Sequence, residues 1–413
     1  MKVRKKYLFY LLVLTSSIIA AIVVGIDTTI RVKFIQNPYA FGIACFLVGT
    51  LITLLISLFL SIPLKGKSIG KRVIDPSFDR IRLIKKEEIK YHIFAGLGNS
   101  LLTFGYFLLL TILKDPSIVL PFSQIVILYL LLTESISEKN FPTLAEIQSS
   151  IIVTFGAILG SISFEGSISI EALAIVFLLY IPAWVIFSIF QRKLKLLKIN
   201  KKPNDSVNIR FWNIVFACLI SLGLILIFDF LTNSSNLIAG IDASINHFWW
   251  VSLTMAFTFF ALVFYIRALG IGKASITQAV RSSLIIFTIP VTIILASLGI
   301  IPLFSTDPVW LIIKTIGIIL VILGIISFAL TLVKAYIFIK IKPGSSIVKI
   351  MKQIWDINGV TRVAAVAGEY DFIVKIRTRT LVKGYENIFH KIGSIKGVKE
   401  YKWQTVLKEW EDI

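Results

Sequence analysis

Long apolar stretches dominate this chain from residue 7 to about residue 333. A bilayer-spanning helix needs about 20 consecutive apolar residues, and the sequence offers about ten such stretches. We number them segments 1 to 10; they lie near 7–26, 39–62, 92–113, 118–137, 147–164, 168–190, 211–230, 248–269, 275–298 and 309–333. The chain is 56% hydrophobic, above the roughly 45–50% of soluble domains. Barrel strands alternate with a period of two, so we expect an α-helical membrane protein with ten transmembrane helices.

Segment 1 follows a basic start, Met1-Lys-Val-Arg-Lys-Lys6, which also begins many signal peptides. Its apolar stretch exceeds a signal core of about 7–15 residues, and no small-x-small cleavage site stands out. We therefore interpret segment 1 as a retained first helix.

The net charge of +20 is concentrated in alternate loops. Nine Lys and Arg residues lie in 63–90 and six more follow segment 6, whereas the intervening loops are nearly bare. Cytoplasmic loops of membrane proteins carry this excess. The pattern predicts a multi-pass protein of the cell membrane with both termini in the cytoplasm. An even number of helices gives the same topology. Attraction to anionic lipid is a plausible addition, and nucleic-acid binding is not required.

Few residues in the sequence suggest metal or covalent chemistry. Both cysteines, Cys45 and Cys218, fall in apolar segments, and the three histidines are scattered. Neither a disulfide framework nor a metal site is indicated. Without a nucleophile–base or metal constellation, we expect no enzyme activity and no cofactor.

The two halves of the apolar region, about 1–165 and 166–333, share local patterns. Tyr106 to Lys114 parallels Tyr265 to Lys273, and a Ser-Ile pair follows each stretch. Segments 5 and 10 both centre on a glycine, Gly156 and Gly324. Five helices per half would place the halves in opposite orientations, a device of secondary transporters.

These stretches carry a family resemblance. Tyr265-Ile-Arg-Ala-Leu-Gly-Ile-Gly-Lys-Ala-Ser-Ile276, then Pro290, Gly317 and Gly324, resembles the second EamA-type half of the drug/metabolite transporter superfamily. The first half, with Tyr106 to Lys114, Thr133-Glu134, Pro142 to Glu146 and Gly156, is similar but weaker. The resemblance implies ten helices, two inverted halves and a central cavity that carries small organic solutes. The chain has no ATP-binding Gly-x4-Gly-Lys-Ser/Thr loop, so transport would be driven by a gradient.

Polar residues inside the segments are candidates for that cavity, because polar groups in a bilayer tend to face the bundle interior. Spacings of three and four residues place them on one face of segment 3 and one face of segment 8. They are Asn99, Thr103, Tyr106, Thr254, Thr258 and Tyr265. Hydrogen bonding between helices is the equally weighted alternative.

Segment 9 adds Gln278, Arg281 and Ser282 on one face. A guanidinium about 9 Å into the span could bind a carboxylate or phosphate in bidentate fashion, or its side chain could extend to the membrane surface. Gln124 on segment 4 is a further candidate. Glu134, near the cytoplasmic end of that segment, is interpreted as solvated, with a role in proton coupling as the less favoured alternative. The Gly156-x3-Gly160 pattern indicates close helix packing.

Residues 334–413 follow different rules, with short apolar patterns between charged residues. The periodicities predict a strand, a helix, two strands, a helix and a strand. They are placed at 336–342, 345–357, 360–367, 371–377, 381–392 and 398–407. This βαββαβ order is that of a ferredoxin-like α+β sandwich.

The same residues closely resemble the Lrp/AsnC-type ligand-binding (RAM) domain. The matching stretches are Ala335 to Gly344, Asn358-Gly-Val360, Gly368 to Lys375 and Ile395-Lys-Gly-Val398. In that family the sheets pair, and amino acids bind at the interfaces near a Gly-x-Tyr-Asp turn. Here that turn is Gly368-Glu369-Tyr370-Asp371, which could also serve only to connect two strands. A membrane domain stands where such regulators carry a DNA-binding domain, so no nucleic acid is implied.

The chain is therefore expected to join a membrane transporter to a cytosolic module. Residues 1–333 form a gradient-driven transporter of small organic solutes, amino acids or related metabolites. Residues 334–413 form a cytosolic module that senses an amino acid or joins chains into a homodimer or higher oligomer. The alternative is a membrane-anchored metabolite sensor that does not transport.

Overall fold

The computed structural model describes residues 5–113, 124–138, 144–160, 170–199, 202–300, 308–330, 333–357, 359–378 and 383–405. By its contacts the chain divides into two compact units, Met1–Glu134 with Ser150–Ile325, and Ser135–Ser149 with Ile326–Ile413.

Helices make up nearly all of the described chain before residue 331. They are α1 (Lys5–Lys33), α2 (Pro38–Leu60), α3 (Ile69–Val73), α4 (Lys86–Leu113), α5 (Val126–Glu138), α6 (Leu144–Gly160), α7 (Ile170–Leu196), α8 (Ser206–Thr232), α9 (Asn236–Asn246), α10 (Phe248–Leu269), α11 (Ala274–Arg281), α12 (Leu284–Ser297) and α13 (Pro308–Leu330). Two short antiparallel pairs join β1 (Pro63–Leu64) to β2 (Lys67–Ser68) and β3 (Lys198–Ile199) to β4 (Lys202–Pro203).

Seven stretches of the described residues are long and apolar enough to cross a bilayer. They are α1, α2, α4, α7, α8, α10 and the α11–α12 pair, which correspond to segments 1, 2, 3, 6, 7, 8 and 9. Segments 5 and 10 contain shorter apolar helices, Ile147–Gly156 and Thr315–Gly324, and part of segment 4 lies outside the described residues. Several long apolar helices in one chain indicate a multi-pass membrane protein.

Local sequence fixes several helix ends. Asn37 begins α2 by accepting hydrogen bonds from the backbone N–H groups of Tyr39 and Ala40, and Asp205 begins α8 by accepting from Asn208 N at 2.8 Å. Both are N-caps of the usual kind. Asn233 ends α8 in the left-handed conformation at φ 51°, which asparagine tolerates better than most residues.

Helix α7 contains one π-helical turn, Val176–Tyr180, in which Ile181 N donates to Val176 O. Pro182 follows at once and has no N–H to donate to the preceding turn, so the wider turn leaves no regular hydrogen bond broken there. The turn exposes Leu178 on the outside of the bundle and buries Tyr180 within it.

The most extensive helix–helix contacts in the larger unit join α1 to α10 and α4 to α7. Small residues allow this proximity. Ser16 Oγ donates to Ala261 O at 2.8 Å, and a Cβ placed on Gly98 would lie 2.6 Å from Phe187 N. Gly156 approaches the Gly317 carbonyl just as closely, since its Cβ would lie 2.7 Å from that oxygen. The close packing expected at Gly156 is therefore present.

Gly98→Ala is expected to destabilise the folded protein by about 1–3 kcal/mol, because an added methyl meets the backbone of α7 rather than a movable side chain. Thermal unfolding in detergent measures the change. Gly223→Ala on α8 is the matched control, since nothing lies within 4 Å of its added Cβ. That control should stabilise by up to about 1 kcal/mol through helix propensity. Equal effects at both sites would contradict the packing argument.

The smaller unit contains a four-stranded antiparallel sheet. Its elements are β5 (Val333–Ile341), α14 (Ile347–Trp355), β6 (Val360–Ala365), β7 (Phe372–Thr378), α15 (Lys383–Gly393) and β8 (Val398–Thr405). The strands lie in the order β6-β7-β5-β8, and the chain follows the predicted βαββαβ order. The predicted strand residues 406–407 and helix residues 381–382 lie outside the described residues.

Alternation along β5 separates the two faces of this sheet. Ala335, Ile337 and Ile339 are fully buried, and the core between sheet and helices also includes Ile354 and Phe372. The intervening residues of β5 are only half-buried. Strands with this pattern have one face against a core and one face open.

Candidate functional site

The larger unit contains a cavity of about 170 Å³ between its helices. Side chains from α1, α2, α4, α7, α8, α10, α11 and α12 line it. Five of the residues singled out from the sequence lie in this lining: Asn99, Thr103, Tyr106, Thr258 and Arg281. The other four, Gln124, Thr254, Tyr265 and Gln278, are buried nearby but are not part of the lining.

Arg281 lies against two aromatic rings in the cavity wall. Its Cζ lies 4.7 Å from the ring centre of Tyr265 and 5.0 Å from that of Trp184, within the range of cation–π attraction. The side chain is 6% exposed, so it does not extend to the membrane surface. Its Nε and Nη1 have no hydrogen-bond partner among the described residues.

Tyr265 lies behind the lining residue Arg281 and is not itself part of the cavity lining. Its hydroxyl lies 2.9 Å from Ser188 Oγ, which fixes the ring that faces Arg281. Tyr106, its counterpart in the first half, lines the cavity itself, and its hydroxyl has no partner within the described ranges.

Asp27 is a cavity residue that the sequence patterns did not single out. Thr254 Oγ1 donates to Asp27 Oδ1 at 2.6 Å, which explains why Thr254 is buried next to the cavity but outside its lining. Segment 1 was placed at 7–26, so Asp27 fell just outside it, whereas α1 continues to Lys33. A charge just beyond an apolar segment is the signal that could have identified it.

Arg210 is the second cavity residue missed from the sequence, and for the same reason. Segment 7 was placed at 211–230, yet α8 begins at Ser206 and buries Arg210 almost completely. Arg210 Nη1 donates to Asn213 Oδ1 at 3.3 Å, and Asn99 Nδ2 donates to the same oxygen at 3.1 Å. Arg210 Nε has no partner among the described residues.

Two of the predicted cavity residues bond to each other rather than lining the cavity. Gln278 Nε2 donates to Gln124 Oε1 at 3.2 Å, and Ser282 Oγ donates to the same oxygen at 2.7 Å. Gln124 precedes α5, so these bonds join segment 4 to segment 9. Thr103 Oγ1 donates to Asn99 O at 2.8 Å within its own helix.

A second group of buried polar residues, the Asp75 cluster, joins the loop before α4 to the end of α7 and the start of α8. It consists of Asp75, Lys195, Asn204 and Ser206. Lys195 Nζ lies 2.6 Å from Asp75 Oδ2 and donates to Asn204 O at 2.7 Å; the Ser206 N–H and hydroxyl also donate to Asp75 Oδ2. Burial raises the pKa of Asp75, but the ion pair with Lys195 and the hydrogen bonds outweigh it and lower that pKa to about 2.

Glu134 is not solvated, so that expectation is wrong. The side chain is 5% exposed, and its carboxylate accepts from the N–H groups of Ala274 and Ser275 at 2.7 and 3.1 Å. The Ser275 hydroxyl donates to it at 2.6 Å, and Arg192 Nη1 lies 3.0 Å away. A carboxylate at this position complements the positive end of the helix dipole. Glu134 thereby fixes the N-terminus of α11, the helix that carries Arg281.

In the smaller unit, the turn at Gly368 to Asp371 is held by the chain itself. Asp371 Oδ2 accepts from Ile341 N at 2.7 Å, and Asp371 N donates to Ile339 O at 2.9 Å. The Tyr370 ring lies 5.5 Å from that of Phe338, whereas Gly368 and Glu369 are exposed. One oxygen of the predicted ammonium acceptor is therefore already bonded to the backbone.

Comparison with known proteins identifies the last part of the chain. The family model of the Lrp/AsnC ligand binding domain matches residues 334–412, and no curated protein matches the chain. A solved structure titled only "Crystal structure of protein" is 13% identical, with a TM-score of 0.47; it covers 79% of this chain and 98% of its own. The chain thus ends in an Lrp/AsnC ligand-binding domain, preceded by a helical region consistent with a membrane domain.

Proposed function

We propose that this chain is a gradient-driven membrane transporter of small organic solutes, amino acids or related metabolites, whose C-terminal domain is regulatory. The cavity carries the proposal. It lies inside a bundle of long apolar helices, and both halves of the helical region line it. It also holds charged side chains, which are costly in a membrane interior and generally mark solute or ion pathways.

The contacts between helices support two inverted halves of five helices each. In such an arrangement a twofold axis relates each segment of the first half to the segment five places later. It therefore exchanges segment 1 (α1) with segment 6 (α7), and segment 3 (α4) with segment 8 (α10). The contact of α1 with α10 then becomes the contact of α7 with α4, and these are the two most extensive helix pairs. Gly156 of segment 5 also approaches Gly317 of segment 10, a pair that the same axis leaves in place. Sites between inverted halves are where alternating access operates.

The regulatory role rests on the domain family and on the open face of its sheet. Tyr336, Phe338, Ile373 and Lys375 share that half-buried face, which suits pairing with a second copy. With both termini in the cytoplasm, the domain would sense cytosolic amino acids or hold two transporters together as a homodimer or higher oligomer. Its ligand can alter transport only by favouring one transporter conformation over another.

Proteoliposome flux tests the proposal. The purified chain should carry labelled amino acids or organic acids down an imposed proton or sodium gradient, faster than protein-free vesicles. Arg281→Gln should slow that flux by about 10- to 100-fold, the loss expected for charge-assisted hydrogen bonds of about 1.5–3 kcal/mol. Arg80→Gln, at an exposed arginine, should leave flux unchanged. Absence of flux for every solute and gradient would reject transport and leave the sensor.

Binding to the regulatory domain is measured separately in the full-length protein. Calorimetry with the common amino acids should give saturable heat that does not depend on Arg281. Light scattering of the purified protein should give the mass of two or more chains. Oligomers without amino-acid heat would reduce the domain to an assembly device.

A further inference from the structure

The charged residues that line the cavity do not cancel. Among the described lining residues they are Asp27, Arg210 and Arg281, two guanidinium groups against one carboxylate. The summed charge of the lining is therefore +1. All three residues are nearly inaccessible to solvent, with exposed fractions of 5%, 2% and 6%.

These three charges are also not paired with one another. None of the ion pairs within the described ranges includes any of them. Asp27 is held by Thr254, Arg210 by Asn213 and Arg281 by two aromatic rings. All of these partners are uncharged, so they orient the charged groups without neutralising them.

In addition, three buried guanidinium nitrogens have no hydrogen-bond acceptor among the described residues: Arg210 Nε, Arg281 Nε and Arg281 Nη1. Buried donors are almost always paired in folded proteins, and an arginine presents its donors in a planar fork suited to carboxylates. Both arginines line the same cavity, so an anion inside it would lie next to two guanidinium groups that have no charged partner.

We propose that the cavity binds a small organic anion of net charge −1, whose carboxylate is held by Arg281 and Arg210. The inference rests on the proposed function, because it takes the cavity to be the solute site. A monoanion brings the summed charge to zero, whereas a neutral zwitterion leaves the net charge buried. Protonation of Asp27 would raise the sum to +2 and would still favour an anion.

The uncharged lining residues indicate the chemistry of the rest of the solute, apart from its carboxylate. Phe107, Tyr180, Trp184 and Phe187 contribute aromatic rings. A cavity of about 150 Å³ accommodates benzene in an engineered protein, so this cavity of about 170 Å³ has room for a ring. The solute class is therefore a carboxylic acid with an apolar or aromatic body.

Three compounds built on a phenylethyl group test the charge requirement: phenylpropionate (net −1), phenylalanine (neutral) and phenethylamine (net +1). Calorimetry on the full-length protein in detergent is compared with the same titrations of Arg281→Gln, so that heat from the regulatory domain, which does not depend on Arg281, is set aside. The Arg281-dependent binding of phenylpropionate should be at least 10-fold tighter than that of phenylalanine, and phenethylamine should give no Arg281-dependent heat. Arg281-dependent phenylalanine binding as tight as that of phenylpropionate, or tighter, would overturn the proposal.

Variants assign the binding to these side chains. Arg281→Gln and Arg210→Gln should each weaken phenylpropionate binding about 10-fold or more. Asp27→Asn should leave it as tight or tighter while weakening phenylalanine further. Thermal unfolding separates lost binding from lost folding. Unchanged phenylpropionate affinity in both folded arginine variants would also contradict the assignment.

The two proposals fail in different ways. Binding in the expected charge order without flux rejects transport and retains the anion site. Flux of zwitterions or cations, with no phenylpropionate binding, retains transport and rejects the anion site.

Discussion

Replacing Lys195 with methionine is expected to destabilise the folded protein by about 3–5 kcal/mol, the usual cost of removing one partner of a buried ion pair. Asp75 would remain as a charged group only 2% exposed, bonded to Ser206 but no longer facing an ammonium. Because Lys195 also bonds Asn204 O, the loop between α7 and α8 should loosen together with the loop before α4. Thermal unfolding in detergent measures the loss.

The effect of Lys195→Met should also depend on pH. In the unmodified protein the Asp75 pKa is lowered from 3.8 to about 2, so its stabilising contribution is complete above pH 3.8. That contribution is lost as the pH falls from 3.8 towards 2. Without Lys195 the largest influence that lowers this pKa is lost, so Asp75 becomes neutral at a higher pH in the variant than in the parent. The difference in stability between variant and parent should therefore shrink as the pH falls from about 7.5 into the acid range.

Two controls isolate the ion pair. Lys198→Met changes an exposed lysine three residues further on and should alter stability by less than about 0.5 kcal/mol. The double change Asp75→Asn with Lys195→Met removes both charges and should recover most of the loss. If the double variant is no more stable than Lys195→Met, then the unpaired carboxylate is not the cause.

Glu134→Gln is expected to destabilise the protein by about 3 kcal/mol, at the lower end of the range for a buried pair, since the Arg192 side chain is 21% exposed. The substituted amide would turn N–H donors towards donors at the start of α11, where the carboxylate now accepts three hydrogen bonds. Because α11 ends at Arg281, we also expect weaker anion binding, although Glu134 does not line the cavity.

Glu171→Gln is the matched control, because that glutamate is exposed on α7. It should change neither the unfolding temperature nor binding. A Glu134→Gln protein that retains stability but loses binding would show that Glu134 only positions Arg281. Loss of stability with unchanged binding would instead show that α11 keeps its position without this cap.

Seven of the ten predicted segments correspond to helices of the described residues that are long and apolar enough to cross a membrane, because length and apolar composition are properties of each segment alone. The prediction missed Asp27 and Arg210, because each lies just outside the predicted segment bounds, and both helices extend past them. It also treated Glu134 as solvated, because its partners Arg192, Ala274 and Ser275 lie 58 to 141 residues away. Burial of a charge depends on such distant partners.

The C-terminal domain shows the same division. Alternating apolar residues were sufficient to predict its strand and helix order, and the bounds differ by only a few residues. The use of Asp371 was not predictable from periodicity, since its carboxylate bonds to Ile341, 30 residues earlier. Whether the Gly368 to Asp371 turn binds a ligand or only connects two strands depends on β5, which contains Ile341 and is distant in sequence.

The π-helical turn in α7 also affects how related sequences should be aligned. A π turn contains one residue more than the α-helical turn it replaces. A relative lacking one residue within Val176–Tyr180, such as the exposed Leu178, would therefore keep a continuous helix with both flanks on their present faces. A single-residue gap at this position is neutral for the span, whereas the same gap elsewhere in α7 would rotate one flank by about 100°.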